Sequence, residues 1–455
     1  LPSSAALTDS VIKPWLARQA YSLVLRLATP AYLWRIWSRG KVEAGYRFAW
    51  PQRLGFYGTA YRRAWQGAST LGERRPVVWL HAVSLGEARA AAPLIQALRH
   101  QRPEMRLLLT HSTSTGRDAG KALLQPGDAQ TWFPFDTPGS VARFLRQHRP
   151  DVGVLMETEV WPNAQHVARR MGVPMVLANA RLSEKSLKQG LRLAALMRPA
   201  AQALSVVLAQ TDDDALRLRQ MGSAQVQVCG NVKFDMTPAP LLLTRGQSWR
   251  AATDRPIVLA ASTREGEEAP LLDAWVAHVK AWPIGVSAPR LLIVPRHPQR
   301  FDEVAALVAR KGLSLSRRSS WAQGSPDAAS NDADIWLGDS MGEMPAYFAV
   351  ARVALLGGSF EPLGGQNLIE AAACGCPIIM GPSTFNFADA AALSEAAGAA
   401  FRVLDLPEAV AKAAAFCHPE GSRQMAETCL AFARAHKGAA ADMAGVILGV
   451  SSPMS

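Results

Sequence analysis

The chain carries neither of the two commonest phosphate-binding signatures. No Gly-Lys-Ser or Gly-Lys-Thr occurs in its 455 residues, which excludes a Walker P-loop, and no GxGxxG follows an apolar run, which excludes the dinucleotide fingerprint. Cysteine is scarce, with five residues at 229, 374, 376, 417 and 429. So sparse and odd a set argues against a disulfide framework and for a reducing compartment. Cys374-Gly-Cys376 has no His or further Cys beside it and reads as packing. No cluster has metal-ligand spacing, so no metal is expected. Acidic residues are in deficit: 37 Asp and Glu stand against 49 Lys and Arg, for a formal net charge of +12. That balance favours an anionic partner, whether nucleic acid, an acidic membrane surface or a phosphorylated substrate. Beyond the N-terminus the basic residues form no aromatic-interleaved stripe, so nucleic acid is not expected. Also missing are an internal repeat of solenoid period and a clean apolar run of the ~20 residues that a simple bilayer span needs.

What is present suits two domains, the natural expectation at 455 residues. Residues 1–44 stand apart. Their core, WLARQAYSLVLRLATPAYLWRIW, is apolar, aromatic and helical in pattern, but broken by Arg18, Arg26, Pro30 and Arg35. Trp and Tyr bracket it as interfacial anchors do, which predicts a helix lying in a membrane interface. The alternative is a helix packed on the protein's own surface. No small-residue cleavage site follows a clean apolar core, so a signal peptide is not expected. From residue 45 to 235 short apolar runs alternate with helical patterns, with strands expected at 77–80, 106–110, 152–156, 174–178, 205–209 and 225–229. Residues 236–255 read as a linker, and 314–332 as an exposed polar loop. A second alternating set, 256–430, has strands at 257–261, 291–294, 335–337, 353–356 and 377–380, and 431–455 reads as a C-terminal helix and tail. Such alternation predicts an α/β fold: two doubly wound, Rossmann-like domains with ligands at the carboxyl ends of their parallel strands, in a shared cleft.

The chemistry therefore belongs at strand ends. Within 334–381, two apolar runs each end in a glycine break, Gly338 to Glu343 and Gly357-Gly358-Ser359, and Gly364-Gly365-Gln366-Asn367 opens a helix. Glycine lets backbone N–H groups approach a ligand, and a helix start adds unpaired donors and partial positive charge, which suits a phosphate. Tight turns alone would explain the same glycines. In the first half, Ser84-Leu85-Gly86-Glu87 follows the first strand, and Glu87 can serve as a general base or simply complement a helix dipole. His81 reads as a packed strand-end histidine. The run from Thr110 through Gly116 and Arg117 can hold a phosphate or sugar, or cap a helix. Glu157 and Glu159 suit acceptor hydroxyls or salt bridges near Arg181, and Lys233 closes the first domain. Asp212-Asp213-Asp214 reads as dipole capping, and Ser262 to Glu265 as a capping box. Arg296-His297, in a turn fixed by two prolines, aims a guanidinium out of the sheet edge as a phosphate ligand.

In order along the chain, WLHAVSLGE, THSTSTG, ETEVWPN, NARLSEKS, GNVKFD, AASTREGEE, PRHPQRF, GDSMGEM and GGSFEPLGGQNLIEAAACGCP resemble the 3-deoxy-D-manno-octulosonic acid (Kdo) transferases of lipid A biosynthesis. The resemblance covers residues 45–381. It implies a GT-B glycosyltransferase with two Rossmann-like domains around a cleft and a membrane-associated N-terminal helix. It implies inverting transfer of Kdo from CMP-Kdo, a co-substrate, to a lipid A precursor (lipid IVA) at the cytoplasmic face of the inner membrane. That membrane's anionic surface is a further partner, and no metal or cofactor is required. Glu87 would be the base, and Arg296, with His297, would neutralise the CMP phosphate. Gly338, Ser340, Met341, Gly342 and Glu343 would hold the nucleotide, with Asn367 and Glu370 completing the donor pocket. Ser84, Gly86, Arg117, Glu157 and Lys233 would lie on the acceptor side or in the cleft.

Overall fold

The computed structural model describes residues 4–67, 75–283, 287–417 and 419–451. The chain divides into two compact units, residues 1–235 with 438–455 and residues 236–437. In the first, β1 (Val77–His81), β2 (Arg106–His111), β3 (Ala129–Trp132), β4 (Val152–Met156), β5 (Met175–Ala180), β6 (Val206–Ala209) and β7 (Val226–Val228) form one seven-stranded sheet in the order β3-β2-β1-β4-β5-β6-β7. Every pairing is parallel, with Leu80 level with Leu109 on one side and Val154 on the other. The central strands read as unbroken apolar runs because helices bury both faces. The order reverses between β1 and β4, where a crevice opens at the strands' carboxyl ends.

The second unit repeats the plan. It carries β8 (Ile257–Thr263), β9 (Arg290–Pro295), β10 (Leu315–Arg317), β11 (Ile335–Leu337), β12 (Val353–Leu356), β13 (Ile378–Met380) and β14 (Ala400–Arg402), in the parallel order β10-β11-β9-β8-β12-β13-β14. Its reversal lies between β8 and β12.

Several expectations need correction. The supposed linker contains the helix Pro240–Ala251. It docks through Gly246, where a Cβ would lie 2.2 Å from the Ala346 carbonyl oxygen, and through the fully buried Trp249, edge-on to Trp321 at 5.1 Å. A contact made by one glycine and one tryptophan leaves no apolar periodicity to read. The supposed loop at 314–332 holds β10 and the short helix Ala328–Asp332, pinned by buried Trp321, whose indole N–H donates to Ser316 Oγ at 2.9 Å. Three strands, β3, β10 and β14, are too short and polar to have been marked. The capping box at Ser262 is absent: β8 runs on to Thr263 and the next helix starts at Glu268.

The first unit also differs at its ends. The N-terminal segment forms one helix, α1 (Ser4–Arg39), packed on the first unit rather than standing apart. Tyr21 donates its hydroxyl to Asp136 at 3.0 Å, Ser22 donates to Asn163 Oδ1 at 3.0 Å, and Tyr32 stacks on Phe135 at 4.2 Å. The opposite side of α1 leaves Leu16, Leu23, Leu27 and Trp34 exposed, positions that share one helical face. Among the described residues no helix is long and apolar enough to cross a membrane. At the other end, the helix Ala439–Ser451 buries Met443, Ala444 and Ile447 in the same cluster as Leu94 and Leu98. Asp235, where the chain leaves the first unit, accepts from the N–H of Gly438 at 2.6 Å and of Ala440 at 2.8 Å, so the exit residue caps the returning helix. Asp235→Ala should cost about 1–2 kcal/mol, the range for losing a cap. Urea unfolding should show the loss, and an unchanged midpoint would remove the cap from this role.

Candidate active site

Glu87 is built into a strand-to-helix turn. Ser84 is the N-cap of the helix Leu85–Gln101, and its Oγ accepts from the Glu87 N–H at 3.4 Å. Glu87 reaches back: one carboxylate oxygen accepts from the Val83 N–H at 2.9 Å and the other from the Ser84 hydroxyl at 3.3 Å. This reciprocal arrangement is a capping box shifted by one residue, since the carboxylate reaches the N–H before the N-cap. Burial pushes the carboxyl up to about 7, against the Val83 N–H, and the charges of Glu159 and Glu157 raise it further. Capping and a raised pKa coexist in one residue. Gly86 is exposed, and a Cβ there would meet only Ser84 Oγ, at 3.8 Å.

Across the β1/β4 reversal, Glu157 leaves β4 with φ of +57°. The Lys233 ammonium sits 3.0 Å from one of its oxygens, and Arg181 Nε 3.9 Å from the other. Lys233 is held in place by a buried turn: the Val232 N–H donates to Asn179 Oδ1 at 3.1 Å and the Lys233 N–H to Asn231 Oδ1 at 3.0 Å. Glu159 accepts the Trp161 indole N–H at 2.6 Å, and burial raises its pKa. Arg117 lies on the helix Ser114–Gly120, its guanidinium 5.1 Å from the Phe48 ring centroid and 5.2 Å from that of Trp132. That helix presses on the Glu87 turn through Gly116, where a Cβ would stand 2.9 Å from the Ser84 carbonyl carbon. The first unit thus brings Ser84, Glu87, Arg117, Glu157 and Lys233 to the carboxyl ends of β1, β2 and β4 and the turn after β7.

In the second unit, Arg296 directly follows β9. Its N–H donates to the Thr263 carbonyl at 3.0 Å, and its Nε to Gln366 Oε1 at 3.2 Å. His297 is exposed; burial and the charges of Arg264, Arg296 and Arg300 lower its pKa. This strand end is cationic enough to hold an anion. The Gly338–Glu343 stretch divides. Gly338 serves packing, since a Cβ there would lie 2.6 Å from Val294 and 2.8 Å from Tyr347. Met341 and Gly342, the latter at φ +82°, form an exposed tip. Ser340 hydrogen-bonds both Glu343 and Tyr347, and Glu343 pairs with Arg318 at 3.0 Å and with Arg245. Burial alone would raise the Glu343 pKa, but Ser340 and the two guanidiniums outweigh it and hold the carboxylate low. Asn367 Oδ1 accepts from the Ile369 N–H at 3.1 Å at the start of the short helix Ile369–Ala373, and Glu370 stands in that helix's first turn.

Three residues have roles that the sequence did not assign. Glu267, 2% exposed, accepts from the N–H groups of Gly358 at 2.8 Å, Arg264 at 2.9 Å and Phe360 at 3.2 Å, and so holds together the turns after β8 and β12. Its signals were the acidic pair Glu267-Glu268 and its place in the AASTREGEE motif. Asn179, at φ +52°, orients the Lys233 turn. Arg53, 2% exposed, lies 3.7 Å from the Trp132 ring centroid. Among the described residues, no group of three or more His, Cys, Asp or Glu could hold a metal ion.

Two parallel Rossmann-like sheets, each with charged groups at its reversal, define the GT-B class. Solved structures share the fold. A glycosyltransferase from Rickettsia africae matches with a TM-score of 0.55 at 10% identity, over 83% of this chain and 99% of its own. A UDP-GlcNAc 2-epimerase from Neisseria meningitidis matches with a TM-score of 0.53 at 15% identity, over 82% of this chain and 99% of its own. Residues 49–236 match the family model for 3-deoxy-D-manno-octulosonic-acid transferase (kdotransferase). The 3-deoxy-D-manno-octulosonic acid transferase of Bordetella pertussis is 45% identical over 432 residues, 93% of this chain and 97% of that one. Its counterpart in Haemophilus influenzae is 33% identical over 371 residues, 81% of this chain and 82% of that one. The chain belongs to the 3-deoxy-D-manno-octulosonic acid transferase family and is a glycosyltransferase.

The packing role of Gly338 is open to test. Gly338→Ala should cost about 1–3 kcal/mol, as overpacking of a filled site does. The measure is urea unfolding; an unperturbed midpoint would show that Val294 and Tyr347 yield freely.

Proposed function

We propose that this protein transfers Kdo from CMP-Kdo to a hydroxyl of a lipid A precursor such as lipid IVA, with inversion and without a metal. The observation that carries the reading is Glu87: a carboxyl raised to about 7, at the reversal of a parallel sheet, with its carboxylate held by one backbone N–H and one hydroxyl. A base with a pKa near the working pH takes protons most effectively. Glu87 removes the acceptor hydroxyl's proton, the oxygen forms a bond to the Kdo anomeric carbon, and the bond from that carbon to the phosphate oxygen breaks. CMP leaves with the electron pair. Arg296, with His297 beside it, neutralises the phosphate, and the turns after β11 and β12 receive the nucleotide. Ser340, Asn367 and Glu343 act mainly by shaping those turns. Lys233, Glu157 and Arg117 orient the acceptor.

Glu87 must be ionised to act, so kcat/KM should fall as pH drops below about 7. The fall should set in well above the ordinary glutamate range near 4.3. Glu87→Gln should lose about 100-fold or more in turnover while still binding CMP. Transfer by that variant at the normal rate would remove Glu87 from the base role. Turnover of UDP-sugars and none of CMP-Kdo would overturn the donor assignment.

The location we propose is the cytoplasmic face of the inner membrane, with the outer side of α1 lying in the interface. Leu27 and Trp34, each 73% exposed there, support it, as does the net charge of +12 for an anionic surface. Leu27→Asp should weaken binding to anionic vesicles about tenfold or more, the scale for burying one leucine side chain. Unchanged vesicle binding would place the membrane contact elsewhere.

A further inference from the structure

The turn that carries Lys233 is held by side chains that the mechanism above does not use. The turn, Val232–Asp235, is anchored at both ends: Val232 is fully buried in the core of the first sheet, and Asp235 caps the helix Ala439–Ser451. Between these anchors runs a ring of amide contacts. Asn179, near the end of β5, accepts the Val232 N–H on its Oδ1 at 3.1 Å, and its backbone carbonyl accepts from Gln210 Nε2 at 2.8 Å. Gln210, just past β6, accepts from Asn231 Nδ2 on its Oε1 at 2.9 Å. Asn231 closes the ring by accepting the Lys233 N–H on its Oδ1 at 3.0 Å, in an Asx-turn. The ends of β5, β6 and β7 are thereby tied to one lysine.

Asn179 breaks two local rules at once. It is fully buried, yet its φ of +52° lies in the left-handed region, which among residues with a side chain suits only short polar ones such as Asn and Asp. Its Nδ2 has no hydrogen-bond partner among the described residues, and a buried donor left so is unfavourable. The adjacent strand repeats the strain. Met156 and Ala178 are register partners, so the next residues, Glu157 and Asn179, stand level, and Glu157 has a φ of +57°. One of this pair sets its carboxylate 3.0 Å from the Lys233 ammonium, and the other holds the turn from which that ammonium reaches. Rules broken in this way at a buried strand end mark a functional position more than a packing one.

We propose that Asn179, Gln210 and Asn231 are positioning residues for the transfer. They touch neither substrate and act by holding the Lys233 ammonium at Glu157, where the pair orients the acceptor. A long side chain on a loose turn must be ordered each time it binds; a pre-set turn removes part of that cost from acceptor binding. The inference rests on the acceptor role given to Lys233 above.

The test is a set of double-mutant cycles on the full chain, with KM measured for lipid IVA and separately for CMP-Kdo. Asn231→Ala removes the group that accepts the Lys233 N–H. Asn179→Gly removes the one that accepts the Val232 N–H and keeps a residue at ease with positive φ. Each should raise the KM for lipid IVA about tenfold, the scale of one charge-assisted contact, and leave that for CMP-Kdo within about twofold. Asn231→Ser and Asn179→Asp, which keep an accepting oxygen, should recover part of the loss. In a Lys233→Met background, Asn231→Ala and Asn179→Gly should add nothing further, because the group they position is gone. A full penalty in that background would mean a merely structural role and would overturn the proposal. So would an unchanged KM for lipid IVA in both asparagine variants when Lys233→Met alone raises it. If Lys233→Met leaves that KM unchanged, the acceptor role of Lys233 fails, and amine labelling of Lys233, read by mass spectrometry without donor or acceptor, decides the positioning separately. Labelling faster by about fivefold or more in folded Asn231→Ala would uphold the amides as the lysine's positioning residues, and an unchanged rate would overturn them.

Discussion

The hydrogen bond from the Val83 N–H to the Glu87 carboxylate is the contact on which the chemistry of the first unit turns. A parallel sheet delivers each strand into a helix whose first N–H groups lack partners. Ser84 satisfies one of them, that of Glu87, and Glu87 in return takes the Val83 N–H just before the cap. A cap in water would leave the glutamate an ordinary acid, and the bond itself lowers its pKa further. Burial, with Glu157 and Glu159 nearby, pushes the other way and wins. The bond fixes where the carboxylate stands, and desolvation decides when it holds a proton. A base needs both.

The second unit makes the comparison instructive. Its first strand, β8, also delivers a glutamate to the reversal point, Glu267. Burial raises its pKa too, against its bonds to the N–H groups of Gly358, Arg264 and Phe360. Yet Glu267 spends itself on three backbone N–H groups and is almost wholly enclosed. No oxygen is left for a substrate. Its work is to hold the glycine turns after β12 at the strand ends. Gly357 allows this closeness, since a Cβ there would lie 2.3 Å from the Ser262 carbonyl oxygen. Two topologically similar carboxylates thus divide by accessibility: Glu87 stays partly open, as the base proposed for it must, and Glu267 is a clamp.

This division marks what the sequence could and could not disclose. The alternation of apolar runs and helical patterns was legible because strands buried on both faces leave continuous runs such as Val152–Met156. Edge strands bury less, and so β10, written Leu-Ser-Arg, passed for loop. Motif residues at strand ends were legible as a set, but their individual roles were not. Glu343 looked like a ligand group and proves to be engaged by Arg245 and Arg318, partners 98 and 25 residues away. Gly338 was expected to help hold the nucleotide, and its lack of a side chain also makes room for Val294 and Tyr347. Long-range partners decide such cases, and local spacing does not contain them.

The arginines of α1 show the same limit from the other side. In a one-dimensional reading Arg18, Arg26 and Arg35 only dilute an apolar segment. In the folded unit Arg18 and Arg35 turn towards cavities on the protein side, and Arg26 is exposed beside the apolar stripe. Arg18 borders one cavity with His166 and Pro199, and Arg35 and Arg39 border another over Arg53. Leu23, Leu27 and Trp34 remain on the outer side. A helix so divided is suited to neither solvent nor a bilayer interior. Its charges are unaffordable within hydrocarbon, and its apolar stripe is unfavourable in water. Both costs would fall at the boundary proposed above, with one face on the protein and the other on lipid. The sequence of α1 therefore encodes two unlike faces more than a span, and on the interfacial placement proposed above its outer face would meet lipid while its inner face stays on the unit that carries Glu87.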